Sequence, residues 1–203
     1  MTRLLIPLVL LLTLVVWLPA LGGSLEDIKE GDAAYRQGDY ATALKKWMPL
    51  AERGNFIAQF NVGTMYQNGH GVTKDTETAF KWYKKSAEKG YSYAQSEVAL
   101  MYFTGMGVPQ DKKEGFRWIK LAAEQGNGIA QVNLGRAYAI GYGTPLDFFY
   151  GYMWWTVAAL RGFEDGKRYL EMNKKTFPPA DMAHAQRLAR ECIEKSFKSC
   201  SSR

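Results

Sequence analysis

The feature that most constrains this chain is an internal repeat of 36 residues, kept without a slip across its centre. Gly54, Gly90, Gly126 and Gly162 stand one period apart, and so do Ala51, Ala87, Ala123 and Ala159. Ala58, Ala94 and Ala130 keep the same register, each followed by a glutamine: Gln59, Gln95 and Gln131. Tyr66, Tyr102 and Tyr138 form another column, as do Asp75, Asp111 and Asp147, and Trp82, Trp118 and Trp154. Gly69, Gly105 and Gly141 each precede a second glycine two residues on. Such a period marks copies of one supersecondary unit, stacked because no unit can bury its apolar face alone.

Each unit reads as two helices. The first is expected over about Asn55 to Gln67, with Ala58, Val62 and Tyr66 on one face at spacings of four. The Gly69-His70-Gly71 loop ends it. Asp75 suits an N-cap for a second helix running to about Lys89, with Ala79, Trp82, Tyr83 and Ala87 as its buried stripe. Asp111 with Glu114 has the spacing of an acidic capping box. Small residues recur inside helices, at Gly63, Ala99 and Gly135 and again at Ala79, Gly115 and Gly151. A helical glycine costs up to about 1 kcal/mol against alanine, so the recurrence points to closely approaching helices.

The expected fold is all-α: an α-solenoid of stacked antiparallel helix pairs, about ten helices in five pairs. Residues 24–54 read as an N-terminal capping pair, 55–90, 91–126 and 127–162 as repeats, and 163–203 as a C-terminal capping pair and tail. After Gly162 the pattern fades, with Gly166 and Lys167 in place of the repeated alanine and glutamine. Pro178 and Pro179 then open a closing helix with Met182, Ala185, Leu188, Ala189 and Cys192 on one face.

Residues 1–23 read as a secretory signal peptide. Arg3 precedes an apolar stretch from Leu4 to Leu18, and Pro19 to Gly23 form a helix break with small residues, suited to cleavage after Gly22 or Gly23. The apolar run is shorter than the roughly 20 residues of a spanning helix, which favours cleavage over an uncleaved anchor. A periplasmic or secreted protein with no stable membrane span after cleavage is therefore expected.

The remaining composition narrows the chemistry. The net charge is +6 and no run of five or six like charges occurs, so no nucleic-acid partner is expected. The segment from Lys167 to Arg203 holds nine Lys and Arg against four Asp and Glu. It could meet an anionic envelope surface, or form a solvated helix face, the reading favoured here. His70 and His184 are the only histidines. His70 aligns with Met106 and Tyr142 and reads as exposed loop filler; His184 reads as solvent-facing. No zinc-site spacing, Ser-His-Asp order or phosphate-cradling glycine motif is present, so neither a metal, a cofactor nor catalysis is expected. Trp155, beside Trp154, has the ring a sugar-binding platform needs but reads better as packing.

The pattern Ala-Gln-x-x-Val/Leu-Gly/Ala-x-x-Tyr-x-x-Gly-x-Gly-x-x-x-Asp-x-x-x-Ala/Gly-x-x-Trp-x-x-x-Ala-x-x-x-Gly resembles the SEL-1-like repeat, a relative of the tetratricopeptide repeat. The likeness covers about residues 25 to 200. The third unit departs at Thr144, where the first two have valine. The resemblance implies a right-handed solenoid whose first helices line a concave face. Mapped onto this chain, that face holds Phe60, Thr64 and Gln67, then Ser96, Leu100 and Phe103, then Val132, Arg136 and Ala139. It also implies a non-catalytic scaffold or adaptor of the bacterial envelope that binds another protein or peptide. The alternative is weak beta-lactam binding or hydrolysis, as in cysteine-rich exported relatives, although this chain lacks their cysteine pair in every repeat. Cys192 and Cys200 are spaced like those pairs, and a disulfide between them is expected. Eight residues of straight helix would separate them by about 12 Å, so the bond requires the helix to end between them and Phe197 to pin the returning tail.

Overall fold

The computed structural model describes residues 19–197 and 200. Residues 1–18 of the expected signal segment thus lie outside the described residues, as do Ser199, Ser201 and Ser202 of the tail. From Pro19 the chain is helical without interruption through Gly22 and Gly23, so the expected break there does not form.

Ten α-helices and no strand make up the described residues: α1 (Pro19–Arg36), α2 (Tyr40–Glu52), α3 (Phe56–Asn68), α4 (Thr76–Glu88), α5 (Ser92–Thr104), α6 (Lys112–Glu124), α7 (Gly128–Ile140), α8 (Phe148–Leu160), α9 (Glu164–Asn173) and α10 (Pro179–Glu194). The all-α repeat architecture is as expected. α1 packs on α2, α3 on α4, α5 on α6 and α7 on α8, and each pair leans on the next through α2–α3, α4–α5 and α6–α7. The fifth pair departs from expectation. α9 and α10 each pack on α8 instead of chiefly on one another. α8 carries no charge, and its residues from Tyr150 to Ala158 are all buried. A helix that is apolar all round must be enclosed on several sides, which α7, α9 and α10 together provide.

The repeated columns have specific structural tasks. Gln59, Gln95 and Gln131 each donate from Nε2 to the carbonyl of Ala51, Ala87 and Ala123, at 3.1, 3.2 and 3.2 Å. These carbonyls belong to the last turn of the preceding second helix, and each also accepts from the backbone N–H of the glycine that follows, Gly54, Gly90 or Gly126. The asparagines and aspartates cap: Asn55 accepts from the Ala58 N–H, Asn127 from Ala130, and Asp75 from Glu77 and Thr78.

The capping box expected at Asp111 forms only one arm. Asp111 accepts from the N–H groups of Lys113 and Glu114. Its own N–H is taken by the Tyr102 carbonyl at 3.0 Å, so Glu114 turns to Arg117 instead, at 2.8 Å. The same loop-closing bond joins Asp75 to Tyr66 and Asp147 to Tyr138, at 2.9 Å each. In the loop, Gly107 has φ +70 and lies against the carbonyl of Thr76, at the start of the preceding second helix. A side chain there would meet both the left-handed backbone and a carbonyl.

Within pairs, small and large residues face each other. A Cβ at Gly63 would lie 2.8 Å from the Tyr83 ring, and one at Gly135 would lie 2.5 Å from Trp155. Gly31 lies against Trp47 in the same way. In the second repeat the corresponding positions are Ala99 and Ile119, both buried. Where the second helix offers a ring the first offers glycine; where it offers isoleucine the first carries alanine. Between α7 and α8 the approach also brings backbone close, Gly151 against the Gly135 carbonyl. Trp118 and Trp154 are buried as expected, whereas Trp82 is half-buried with Lys85 over its ring.

At the C-terminus α10 ends at Glu194, Ser196 and Phe197 adopt positive φ, and a disulfide joins Cys192 to Cys200 with their Cα atoms 5.1 Å apart. The Phe197 ring sits against Gly126 and under the guanidinium of Arg161, so it pins the returning tail.

The volume match makes a testable statement. Gly63→Ala alone should destabilise the protein by about 1–3 kcal/mol through overpacking against Tyr83. Combined with Tyr83→Ile, which reproduces the pairing of the second repeat, it should cost less than the sum of the two single changes. Urea denaturation of the four proteins in the cycle measures the coupling, and strict additivity would show that the two positions do not share this space.

Candidate interaction surface

The first helices α1, α3, α5, α7 and α9 leave grooves between them, and most of the predicted binding residues lie in these. Ser96, Leu100, Phe103 and Arg136 line one groove of about 260 Å³ between α5 and α7, with Ile119, Ile140 and Tyr142. Phe60 and Thr64 line a second between α1 and α3, with Tyr35 and Trp47. Val132 lines a third between α7 and α9, although it is itself buried. Asn133 borders both the first and the third. Ala139 is half-buried and faces Gly151.

Gln67 is not the free surface residue the periodicity suggests. The Tyr83 hydroxyl donates to its Oε1 at 2.5 Å and also contacts Thr64 Oγ1 at 3.1 Å. Gln67 also lies close enough to Glu97 on α5 to favour the charged form of its carboxyl. Phe60 and Tyr91 meet edge-on above this contact, their ring centroids 5.3 Å apart. Aromatic packing and the nearness of Gln67 to Glu97 therefore close the interval between α3 and α5. Sequence periodicity placed Gln67 on the right helix but carries no record of which neighbour its amide meets.

The surface of α3, α5 and α7 is poor in charge. α3 has no charged residue, α5 only Glu97 and α7 only Arg136. Burial raises the Glu97 carboxyl above the usual range, opposed in part by the nearby Gln67 side chain. By contrast α4 and α6 carry Lys81, Lys84, Lys85, Lys112, Lys113, Arg117 and Lys120. Exposed apolar side chains concentrate on the first helices: Tyr93, Leu100, Ile129 and Ile140 are between 46% and 65% exposed.

Other candidates resolve differently. His70 is not loop filler: it stacks on Tyr40 with centroids 4.3 Å apart, and its Nδ1 is 2.9 Å from the Tyr35 hydroxyl. It thus fastens the first Gly-x-Gly loop to the N-terminal helix pair. His184 is exposed beside Phe149. Trp155 cannot serve as a sugar platform, since it is 3% exposed, stacks on Tyr169 and donates from Nε1 to the Val132 carbonyl. Among the described residues no group of three His, Cys, Asp or Glu could hold a metal, and no helix is long and apolar enough to cross a membrane. In the basic C-terminal segment Lys167, Arg168, Lys174 and Arg187 pair with acids one turn away on their own helices.

Residues 57–91, 92–127 and 128–163 each match the Sel1 repeat family. Similar solved structures include a Sel1 repeat protein from Oxalobacter formigenes, with 34% identity, a TM-score of 0.68, and a match covering 72% of this chain and 60% of that one. Another is a protective antigen present in uropathogenic Escherichia coli strains that displays an SLR fold, with 26% identity and a TM-score of 0.55. That match covers 87% of this chain and 47% of the antigen. The chain thus spans less than two thirds of either protein. No curated protein matches it.

The Glu97 environment predicts a pH dependence. A carboxyl whose value is raised in the fold contributes stability at low pH that is lost as pH rises through that raised value. Glu97→Gln removes the buried charge and keeps the amide–amide contact to Gln67. Its melting temperature should exceed that of the wild type at pH 7. The gap should close as pH falls through the ordinary carboxylate range of about 4–5. Circular dichroism melts at both pH values test this, and a gap independent of pH would contradict it.

Proposed function

The chain belongs to the Sel1 repeat family, whose members are generally protein-interaction scaffolds, and we propose that it captures a partner protein or peptide in the bacterial cell envelope on the concave face lined by α3, α5 and α7. The observation that carries this reading is the contrast between faces. The first helices expose apolar side chains around a groove with almost no charge, while α4 and α6 display lysines to solvent. Apolar area concentrated on one face and rimmed by polar groups is the mark of an interaction site. The Sel1 repeat fold is typically a non-catalytic scaffold, in keeping with a role in binding.

Immobilised protein should retain a partner from an envelope extract. Leu100→Asp with Phe103→Asp should abolish that capture while the helical circular dichroism stays unchanged. Capture that survives both changes would move the binding surface away from the α5–α7 groove.

Export is part of the same proposal and rests on residues 1–23. The Cys192–Cys200 bond supports it, because disulfides persist in oxidising compartments. Intact-mass measurement on protein from the envelope fraction should show an N-terminus at Gly23 or Ser24. A mass that retains Met1 on membrane-bound protein would replace cleavage by anchoring.

A further inference from the structure

We infer that the groove between α5 and α7 reads an acidic side chain lying beside a bulky apolar one on an extended segment of the partner, and that Arg136 takes the carboxylate. This inference rests on the concave-face reading above and gives the partner a chemistry.

The floor of the groove is apolar. Leu100, Phe103, Ile119 and Ile140 surround a volume of about 260 Å³. Small-molecule and cofactor sites usually occupy about 300–1,000 Å³, so this space suits one bulky side chain and its backbone better than a whole cofactor.

The rim has one sign of charge. Arg136 is exposed, and its nearest polar partner is Asn133 Oδ1 at 3.5 Å, the limit of a hydrogen bond. It forms no ion pair among the described residues, unlike Arg117 with Glu114 or Arg168 with Asp165. The one acid of α5, Glu97, is engaged on the opposite side by Gln67 of α3. The groove therefore presents a guanidinium that has no acid paired to it and lies 6.0 Å from the Tyr169 ring of α9, beside an apolar floor, and a carboxylate can meet a guanidinium through two parallel hydrogen bonds.

Two further groups favour a peptide. Ser96 Oγ is shut off from solvent and has no hydrogen-bond partner in the protein. A hydroxyl both donates and accepts, and rotation of its χ1 would turn it from this enclosed place to the backbone of a bound segment. Asn133 borders the neighbouring groove as well, which leaves a path for the chain to continue towards α9. That path selects an internal acidic side chain over a chain terminus. A nucleic acid or an anionic lipid surface would call for several cations along the groove, and α7 supplies one.

Four octapeptides distinguish the alternatives. All are N-acetylated with Gly-Ser flanks; three are C-amidated and centred on Leu-Glu, Leu-Gln or Leu-Lys, and the fourth ends in leucine with a free carboxylate. They are titrated at low salt into the purified protein and followed by amide chemical shifts. Leu-Glu should bind about tenfold more tightly than Leu-Gln, the scale of one hydrogen-bonded charged contact. Arg136→Glu should remove that preference and turn it towards Leu-Lys, and because Arg136 is exposed the variant should keep its fold. Equal binding of Leu-Glu and Leu-Gln, or an acid preference that survives Arg136→Glu, would overturn the inference. So would tighter binding of the free-carboxylate peptide. Equal binding that is lost in Leu100→Asp would sink only the carboxylate reading and leave concave-face binding intact. If no peptide shifts resonances in α5 or α7, the carboxylate reading falls, and the capture experiment with Leu100 and Phe103 judges the binding face separately.

Discussion

The buried glutamine of each first helix hydrogen-bonds a carbonyl at the end of the second helix before it, and the stacking of units depends on this contact. A helix ends with carbonyls that have no partner within it. Here Gly54, Gly90 and Gly126 already donate their N–H groups to the Ala51, Ala87 and Ala123 carbonyls, and the second lone pair of each oxygen is left for the next unit. Gln59, Gln95 and Gln131 supply the second donor, from the next unit and in the same geometry each time. The far side of the amide is served variously. Gln125 donates to Gln95 Oε1 and Arg161 to Gln131 Oε1, and both come from the turn after the following second helix. One residue type thus fixes the separation and rotation between neighbours while leaving outer faces free to vary.

Where the glutamine is replaced, the joint changes character. At Gly166 a Cβ would lie 2.8 Å from the Ala159 nitrogen and 2.9 Å from the Trp155 carbonyl. α9 therefore seats directly on the α8 backbone, and Lys167 turns outward to Glu164. α10 then covers the other side of α8, with Phe177 stacked on Tyr152. The solenoid closes by wrapping its last second helix in two others, and the disulfide holds the tail against the turn at Gly126. A repeat array needs an end that buries its last apolar face.

The same regularity explains why the surface of the first helices varies along the solenoid. The rigid frame fixes where each first helix lies; the residues between frames decide whether the interval is open or closed. Between α3 and α5, Phe60, Tyr91, Gln67 and Glu97 fill it. Between α5 and α7, Ser96 and Asn133 stand at the positions of Phe60 and Glu97 in their own repeats, and a groove opens. Smaller side chains at equivalent positions, with no change in the helices, are enough to create the cavity.

Sequence alone determined the number of helices, the pairing of the first eight, the caps at Asp75, Asp111 and Asp147, and the need for α10 to end before Cys200. Each follows from local chemistry repeated in register, or from the fixed rise of a helix. Tertiary structure decided what local chemistry does not encode. It set α9 and α10 separately on α8, although the absence of charge from Phe148 to Leu160 was a legible sign that this helix is enclosed. It took the Asp111 N–H for Tyr102 and so left the capping box half made. It drew His70 into the N-terminal pair and Gln67 into the bond with Tyr83. It gathered Ser96, Leu100, Phe103 and Arg136 into one groove and sent Phe60 and Val132 to others. Periodicity reports which residues share a helix face; only packing reports what stands opposite, because that depends on side-chain volumes contributed by a neighbouring unit.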